Sequence, residues 1–137
     1  MEKCNHLVRA RMLTFSLLLV FQTTLHGHAT ADASPYYDLQ LTTKKTSTPH
    51  IATIKVTGKG DYHCNTEYRW KLSVQSQPGV TLGKKILKNG DAKRFTEEAV
   101  VFEVPYTSAP KQKVSATLKF SVCNDKLCLI EKVPLTW

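Results

Sequence analysis

Beyond its first thirty-odd residues the sequence has no helical periodicity of useful length, no internal repeat and no low-complexity tract. Those absences exclude a helical bundle, a repeat array or a biased linker as the main body of the chain. No Ser-His-Asp arrangement, paired carboxylates or phosphate-binding loop stands out, which removes the hydrolase and kinase readings. Glu97 and Glu98 read as part of a solvated loop. Long apolar runs are also lacking. Met12–Phe21 ("MLTFSLLLVF") has ten residues, whereas a membrane-spanning helix needs about 20. The lysines of the later chain (Lys44, Lys45, Lys55, Lys59, Lys71, Lys84, Lys85, Lys88 and Lys93) are scattered. They form no dense run interleaved with aromatics, so no nucleic-acid partner is expected. A solvated lysine-rich surface with weak attraction to acidic surfaces fits better. No cofactor is expected.

The amino terminus has its own grammar. Lys3, Arg9 and Arg11 form a positive head, the apolar run follows, and "GHATADASP" then supplies small residues. That order predicts a secretory signal peptide over residues 1–33, cleaved after Ala29, Ala31 or Ala33, with the later two favoured. An uncleaved anchor is the alternative. Cys4 precedes the apolar run and leaves with the signal. The remaining chain, 34–137, has about 104 residues, enough for one domain with a modest core. Its net charge is about +7 once Lys3, Arg9, Arg11, Glu2 and Asp32 are removed. Nothing in it is apolar enough to cross a membrane, so no stable membrane insertion is expected after cleavage. Export places its thiols where disulfides persist.

Within 34–137 the dominant signal is alternation with period two. Leu41–His50 ("LTTKKTSTPH") reads as a loop or strand end. Ala52, Ile54 and Val56 alternate with Ile51, Thr53 and Lys55, and "GKGD" ends that run. Trp70, Leu72 and Val74 alternate with Lys71, Ser73 and Gln75. "QPGV" and "KNGD" mark turns, and "AVVFEVPY" is a strand closed by Pro105. The clearest strand is Lys113–Cys123. Val114, Ala116, Leu118, Phe120 and Val122 point to one face, and Lys113, Ser115, Thr117, Lys119 and Ser121 to the other. "CLIEKVPLTW" follows as the last strand. Roughly seven short strands with regular turns predict an all-β fold, an immunoglobulin-like antiparallel β-sandwich, with a small barrel as runner-up.

Three cysteines survive processing: Cys64, Cys123 and Cys128. Asn124 and Asp125 are turn starters whose short side chains hold local backbone amides. A hairpin loop over Asn124–Leu127 brings Cys123 and Cys128 face to face. Facing residues lie ~4.5–5.5 Å apart at Cα, within reach of a disulfide. A ring this small constrains the unfolded chain by only about 2 kcal/mol in the loop-entropy model. Lys119, Lys126 and Lys132 place positive charge nearby, which favours thiolate. Three readings stay open on the residues alone. One is a structural staple and one is a redox pair. The third is zinc, for which only Cys64 and His63 offer further ligands.

A resemblance bears on that choice. "GDYHCNTEYRWKLSV", "VVFEVPY" and above all "KVSATLKFSVCNDKLCLIEKVPL" resemble segments of the amino-terminal periplasmic domain of the bacterial thiol-disulfide interchange protein DsbD. The likeness extends from about Ile51 to Trp137. It implies an immunoglobulin-like sandwich in the bacterial periplasm, or a secreted one. Its cysteine pair would exchange disulfides with protein partners, thioredoxin-like ones included, in a protein-disulfide reductase-like activity. Carried over, Cys128 is the cysteine that attacks or is attacked by a partner, and Cys123 resolves the mixed disulfide. The family's loop between the cysteines is commonly one residue longer. Its best-known members shield the pair with an aromatic cap loop, where the comparable stretch here, "KNGDAKRFTEEAV", offers Phe95. The electron donor is expected to be a separate molecule. The other reading is a non-catalytic binding or assembly module with a structural disulfide. Cys64 falls where that family carries an apolar strand residue, and a buried, inert cysteine is expected, with a bond between two molecules or exchange with the Cys123–Cys128 pair as alternatives. His63 next to it reads as an ordinary, partly exposed histidine, with tuning of a thiol as the alternative. Tyr62, Tyr68 and Trp70 read as core or core-edge residues.

Overall fold

The computed structural model describes residues 29–30, 34–46 and 48–137. Cys4 and most of the expected signal peptide lie outside the described residues. Eleven strands follow one another: β1 (Ala29–Thr30), β2 (Tyr37–Lys44), β3 (His50–Gly58), β4 (His63–Cys64), β5 (Lys71–Val74), β6 (Val80–Leu82), β7 (Ile86–Lys88), β8 (Arg94–Phe95), β9 (Ala99–Ser108), β10 (Ser115–Cys123) and β11 (Cys128–Thr136). A 3-10 turn at Asn89–Asp91 answers the "KNGD" signal.

Every pairing is antiparallel, and the strands sort into two sheets. The larger sheet runs β1-β2-β3-β9-β6, with β8 also paired to β9. The smaller runs β11-β10-β5-β7, with β4 also paired to β10. β10 is therefore the hub of the smaller sheet. β11 lies along its whole length on one side, while β5 and β4 share the other side end to end. This is the expected all-β sandwich.

The period-two pattern explains which residues meet between the sheets. From the larger sheet come Leu39, Leu41, Ala52, Ile54, Val56, Val100, Phe102 and Val104. From the smaller come Leu72, Val74, Leu87, Ala116, Leu118, Phe120 and Val122, all buried. Phe120 is the centre of an aromatic cluster, edge-on to Tyr37 at 4.9 Å and tilted against Trp70 at 5.2 Å. Such offset contacts add to the area that these rings remove from water.

The stretch from Leu41 takes the second of its two expected readings, a strand end: β2 continues to Lys44, paired in register with Ile51 of β3. Polar Thr42, Thr43 and Lys44 tolerate a strand there because they are exposed. The Pro105 reading is corrected: Pro105 does not close its strand, since β9 runs on to Ser108. Pro105 falls between the segment of β9 paired to β8 and the segment paired to β6, so its missing N–H interrupts neither pairing. Pro134 is likewise on β11, the outermost strand of its sheet, where proline is accepted.

Gly58 ends β3 at a tight crossing. A Cβ there would run into the Tyr62 carbonyl and the His63 Cα. Glycine thus lets the short strand β4 lie against the end of β3 before pairing with β10. That crossing sets the position of His63.

Candidate functional site

Cys123 ends β10 and Cys128 starts β11, directly opposite in register. Their sulfurs are bonded, with a Cα–Cα separation of 4.0 Å. The loop between them is held by Asn124, as its residue type suggests. The Asn124 side-chain oxygen accepts the N–H of Lys126 at 3.0 Å and of Leu127 at 2.8 Å. The Asn124 backbone N–H donates to the Leu127 carbonyl at 2.9 Å. Its side-chain amide then reaches out of the hairpin and donates to Asp61 at 3.0 Å. Asp125 takes no part in this lock and is exposed.

The pleat decides which way the disulfide faces. Phe120 and Val122 point into the core, so Ser121 and Cys123 point to the outer face of the smaller sheet. Accessibility then differs sharply between the two cysteines. Cys123 is 6% exposed, whereas Cys128, on the outermost strand, is exposed. The Ser121 hydroxyl lies 3.9 Å from the Cys123 sulfur. Ser121 is 1% exposed, and its carbonyl accepts the N–H of Asn65 at 3.0 Å.

Strand β4 completes the row. His63 is the register partner of Cys123, and Cys64 that of Val122. Adjacent residues in sequence therefore lie on opposite faces. His63, half-buried, shares the outer face with the disulfide, so that His63, Cys123 and Cys128 lie side by side on three neighbouring strands. Cys64 points inward and is 0% exposed. Its thiol is 3.6 Å from the Val56 carbonyl, close enough for a weak S–H donation. Burial pushes its pKa up from 9.0 to about 11, although the backbone at Val100 and Gly58 pulls the other way. A thiol that is buried and protonated is a poor nucleophile. The sequence reading of His63 as a neighbour able to tune a thiol points to Cys64. The sheet places it beside Cys123 instead.

Phe95, the expected counterpart of a cap, sits on β8 of the larger sheet. It packs edge-on against Trp70 at 6.0 Å. The same segment does touch β4, where the Glu97 carbonyl accepts the Cys64 N–H at 2.8 Å. Tyr62 is tilted against Tyr36 at 5.1 Å. Trp70 is buried, its indole N–H donating to the Asn65 carbonyl at 2.7 Å. The β4–β5 connection is thus anchored on both the β10 edge and the core. Among the described residues no cluster of three or more His, Cys, Asp or Glu side chains converges on a metal-sized point.

Comparison with solved structures finds the same architecture elsewhere. The chain is similar to the GAE domain of GGA2p from Saccharomyces cerevisiae, with a TM-score of 0.51 and 11% identity, over 81% of this chain and 97% of that one. It also matches the GAE domain of yeast GGA1, with a TM-score of 0.48 and 11% identity, over 82% of this chain and 98% of that one. The first of these likenesses supports the immunoglobulin-like β-sandwich. At this identity it speaks to fold alone. No protein-family model and no curated protein matches the sequence.

Proposed function

We propose that this domain is an exported thiol-disulfide exchange module that passes electrons to or from protein partners in the bacterial periplasm. The observation that carries the reading is the asymmetry of the Cys123–Cys128 bond, with one sulfur's residue exposed and the other buried on an outward-facing hairpin. Exchange requires that a partner thiolate reach one sulfur in line while the other leaves. Cys128 is the reachable one. A partner thiolate attacks its sulfur, the Cys123–Cys128 bond breaks, and Cys123 departs as thiolate. A second partner thiolate then attacks the partner's own sulfur in the mixed disulfide and releases Cys128. The partner is oxidised by two electrons and the domain is reduced by two. In reverse, Cys128 attacks a client disulfide and Cys123 resolves it.

His63 and the hairpin lock support this sequence. His63 lies beside Cys123, where a ring N–H can donate a hydrogen bond to the departing thiolate. The Asn124 hydrogen bonds close the loop without help from the sulfurs, so the two thiols stay opposed after reduction. The resemblance of the hairpin to the DsbD amino-terminal domain points to the same chemistry. Cys64 is too buried to compete.

The test is a Cys123→Ser substitution in the full chain, exported in a bacterial host. Mixed disulfides through Cys128 are expected on non-reducing gels, with a Cys123–Cys128 potential above about −300 mV in the unsubstituted protein. No trapped partner, together with a potential below that value, would leave a structural staple in a binding module.

A further inference from the structure

The outer face of the smaller sheet carries a second feature, one that the cysteines do not explain. Lys88 of β7 is in register with Lys71 of β5, Lys71 with Lys119 of β10, and Lys119 with Lys132 of β11. Four lysines thus stand in one row across four neighbouring strands. All four are exposed, and all lie on the face away from the core, since Leu72, Leu87, Leu118 and Val133 next to them point the other way. Neighbouring strands are ~4.8 Å apart, so the stems of these side chains start closer together than the screening length of ~8 Å at physiological salt. Like charges directly opposite one another oppose strand pairing.

This repulsion is not relieved within the molecule. Among the described residues Lys71, Lys119 and Lys132 make no ion pair; the pairs are Lys84–Asp91, Lys93–Glu103 and Arg94–Glu98. Only Lys88, at one end of the row, feels a carboxylate, that of Asp91, which Lys84 already holds. The three unrelieved lysines surround a groove of about 390 Å³, and Ser73 and Thr117 line it as well. Ammonium groups and hydroxyls both donate hydrogen bonds, so the groove is rich in donors and has no anion of its own.

We propose that this face binds an extended, acidic segment of a protein partner, whose carboxylates seat along the lysine row. The concavity favours side-chain carboxylates over a flat layer of lipid headgroups. No aromatic ring lines it, which separates it from sites that stack single-stranded nucleic acid. The proposal stands independently of the exchange reading, because it needs neither cysteine.

The probe is a fluorescein-labelled twelve-residue peptide of alternating Glu and Ser, with a Gln-for-Glu peptide as control. Binding to the full chain is measured by anisotropy at low and at physiological salt. The glutamate peptide is expected to bind and the glutamine peptide not to bind. Binding is expected to fall at least tenfold in a Lys71→Gln/Lys119→Gln/Lys132→Gln variant. A Lys44→Gln/Lys45→Gln/Lys55→Gln variant has the same net charge and is expected to stay within twofold of the original. A Cys123→Ser/Cys128→Ser variant should bind the peptide equally well. Thermal melting should show the row variant folded and no less stable than the original, since it removes repulsion only. Equal losses in the two lysine variants would reduce the effect to net charge and overturn the proposal. Absence of peptide binding would do the same, as would tighter binding to phosphatidylglycerol vesicles than to the peptide.

Discussion

The two faces of the smaller sheet are one residue apart in sequence and opposite in chemistry. Cys64 and His63 are neighbours, yet one thiol is sealed in the core while the imidazole beside it lies next to the disulfide. Val122 and Cys123 repeat the contrast on β10. The inner face is a continuous apolar layer around Phe120, whereas the outer face carries a disulfide, a histidine and a row of lysines. The pleat separates the side chains that hold the fold from an outer row in which Ser121 and Cys123 are covered while Cys128 and the lysines are exposed. If that division is right, inner-face substitutions act on stability and outer-face substitutions act on exchange and binding.

The largest expected effect is on the inner face. Phe120→Ala should cost about 3–5 kcal/mol, because it removes a fully buried ring and leaves a cavity between Tyr37 and Trp70. Urea denaturation checks it, and a cost below about 1 kcal/mol would mean the core is not built around this ring. Next comes the crossing that positions the outer face from within. Gly58→Ala should cost about 1–3 kcal/mol, since the new methyl meets backbone at Tyr62 and His63. It should also slow exchange at Cys128 by displacing His63, a change that stability alone would not produce.

Removing the disulfide is the sharper comparison. Cys123→Ser/Cys128→Ser should lower stability by about 2 kcal/mol, the loop-entropy value for so short a ring. The protein should stay folded, with its hairpin amides still protected by Asn124. Loss of the fold would place the pair with the core, and not with the outer face.

The inward thiol gives a pH signature. Its folded pKa of about 11 lies above the ordinary 9.0, so the protonated thiol favours the folded state. This contribution is complete below pH 9 and is lost as pH rises towards 11. It amounts to about 3 kcal/mol at most. A Cys64→Val variant should lack that loss, as shown by the difference between the two stability curves. Iodoacetamide should label Cys64 only after unfolding. The smallest effect belongs to the lysine row. Lys119→Gln should raise stability by a few tenths of a kcal/mol, because it has like charges opposite it on both sides.

Much of this could be read from residue order. The alternation from Ala116 to Val122 marks the inward face of β10 residue by residue, and Asn124 announces the turn that opposes the cysteines. Pro105 misled because proline stops a strand only when its missing donor is needed, and whether it is needed depends on which strands flank β9. The end of β2 could be read as loop or strand because Thr42 to Lys44 are polar on an exposed stretch, and only the pairing with β3 settles it. His63 was visible as a partly exposed histidine, but its lateral neighbour Cys123 was not, since the two meet only through the pairing of β4 with β10.

Sequence alone determined the face on which each side chain falls, since a period of two is a local property of extended backbone. It also determined that Cys123 and Cys128 meet, because only a short turn separates them. Which residues become lateral neighbours was decided by tertiary structure. Lys71, Lys88, Lys119 and Lys132 come from four strands, and His63 reaches Cys123 from a strand some sixty residues earlier. Their alignment depends on strand order and register, which are set by how the apolar faces pack together. The charge row and the histidine beside the disulfide are consequences of burying the other side of the same strands.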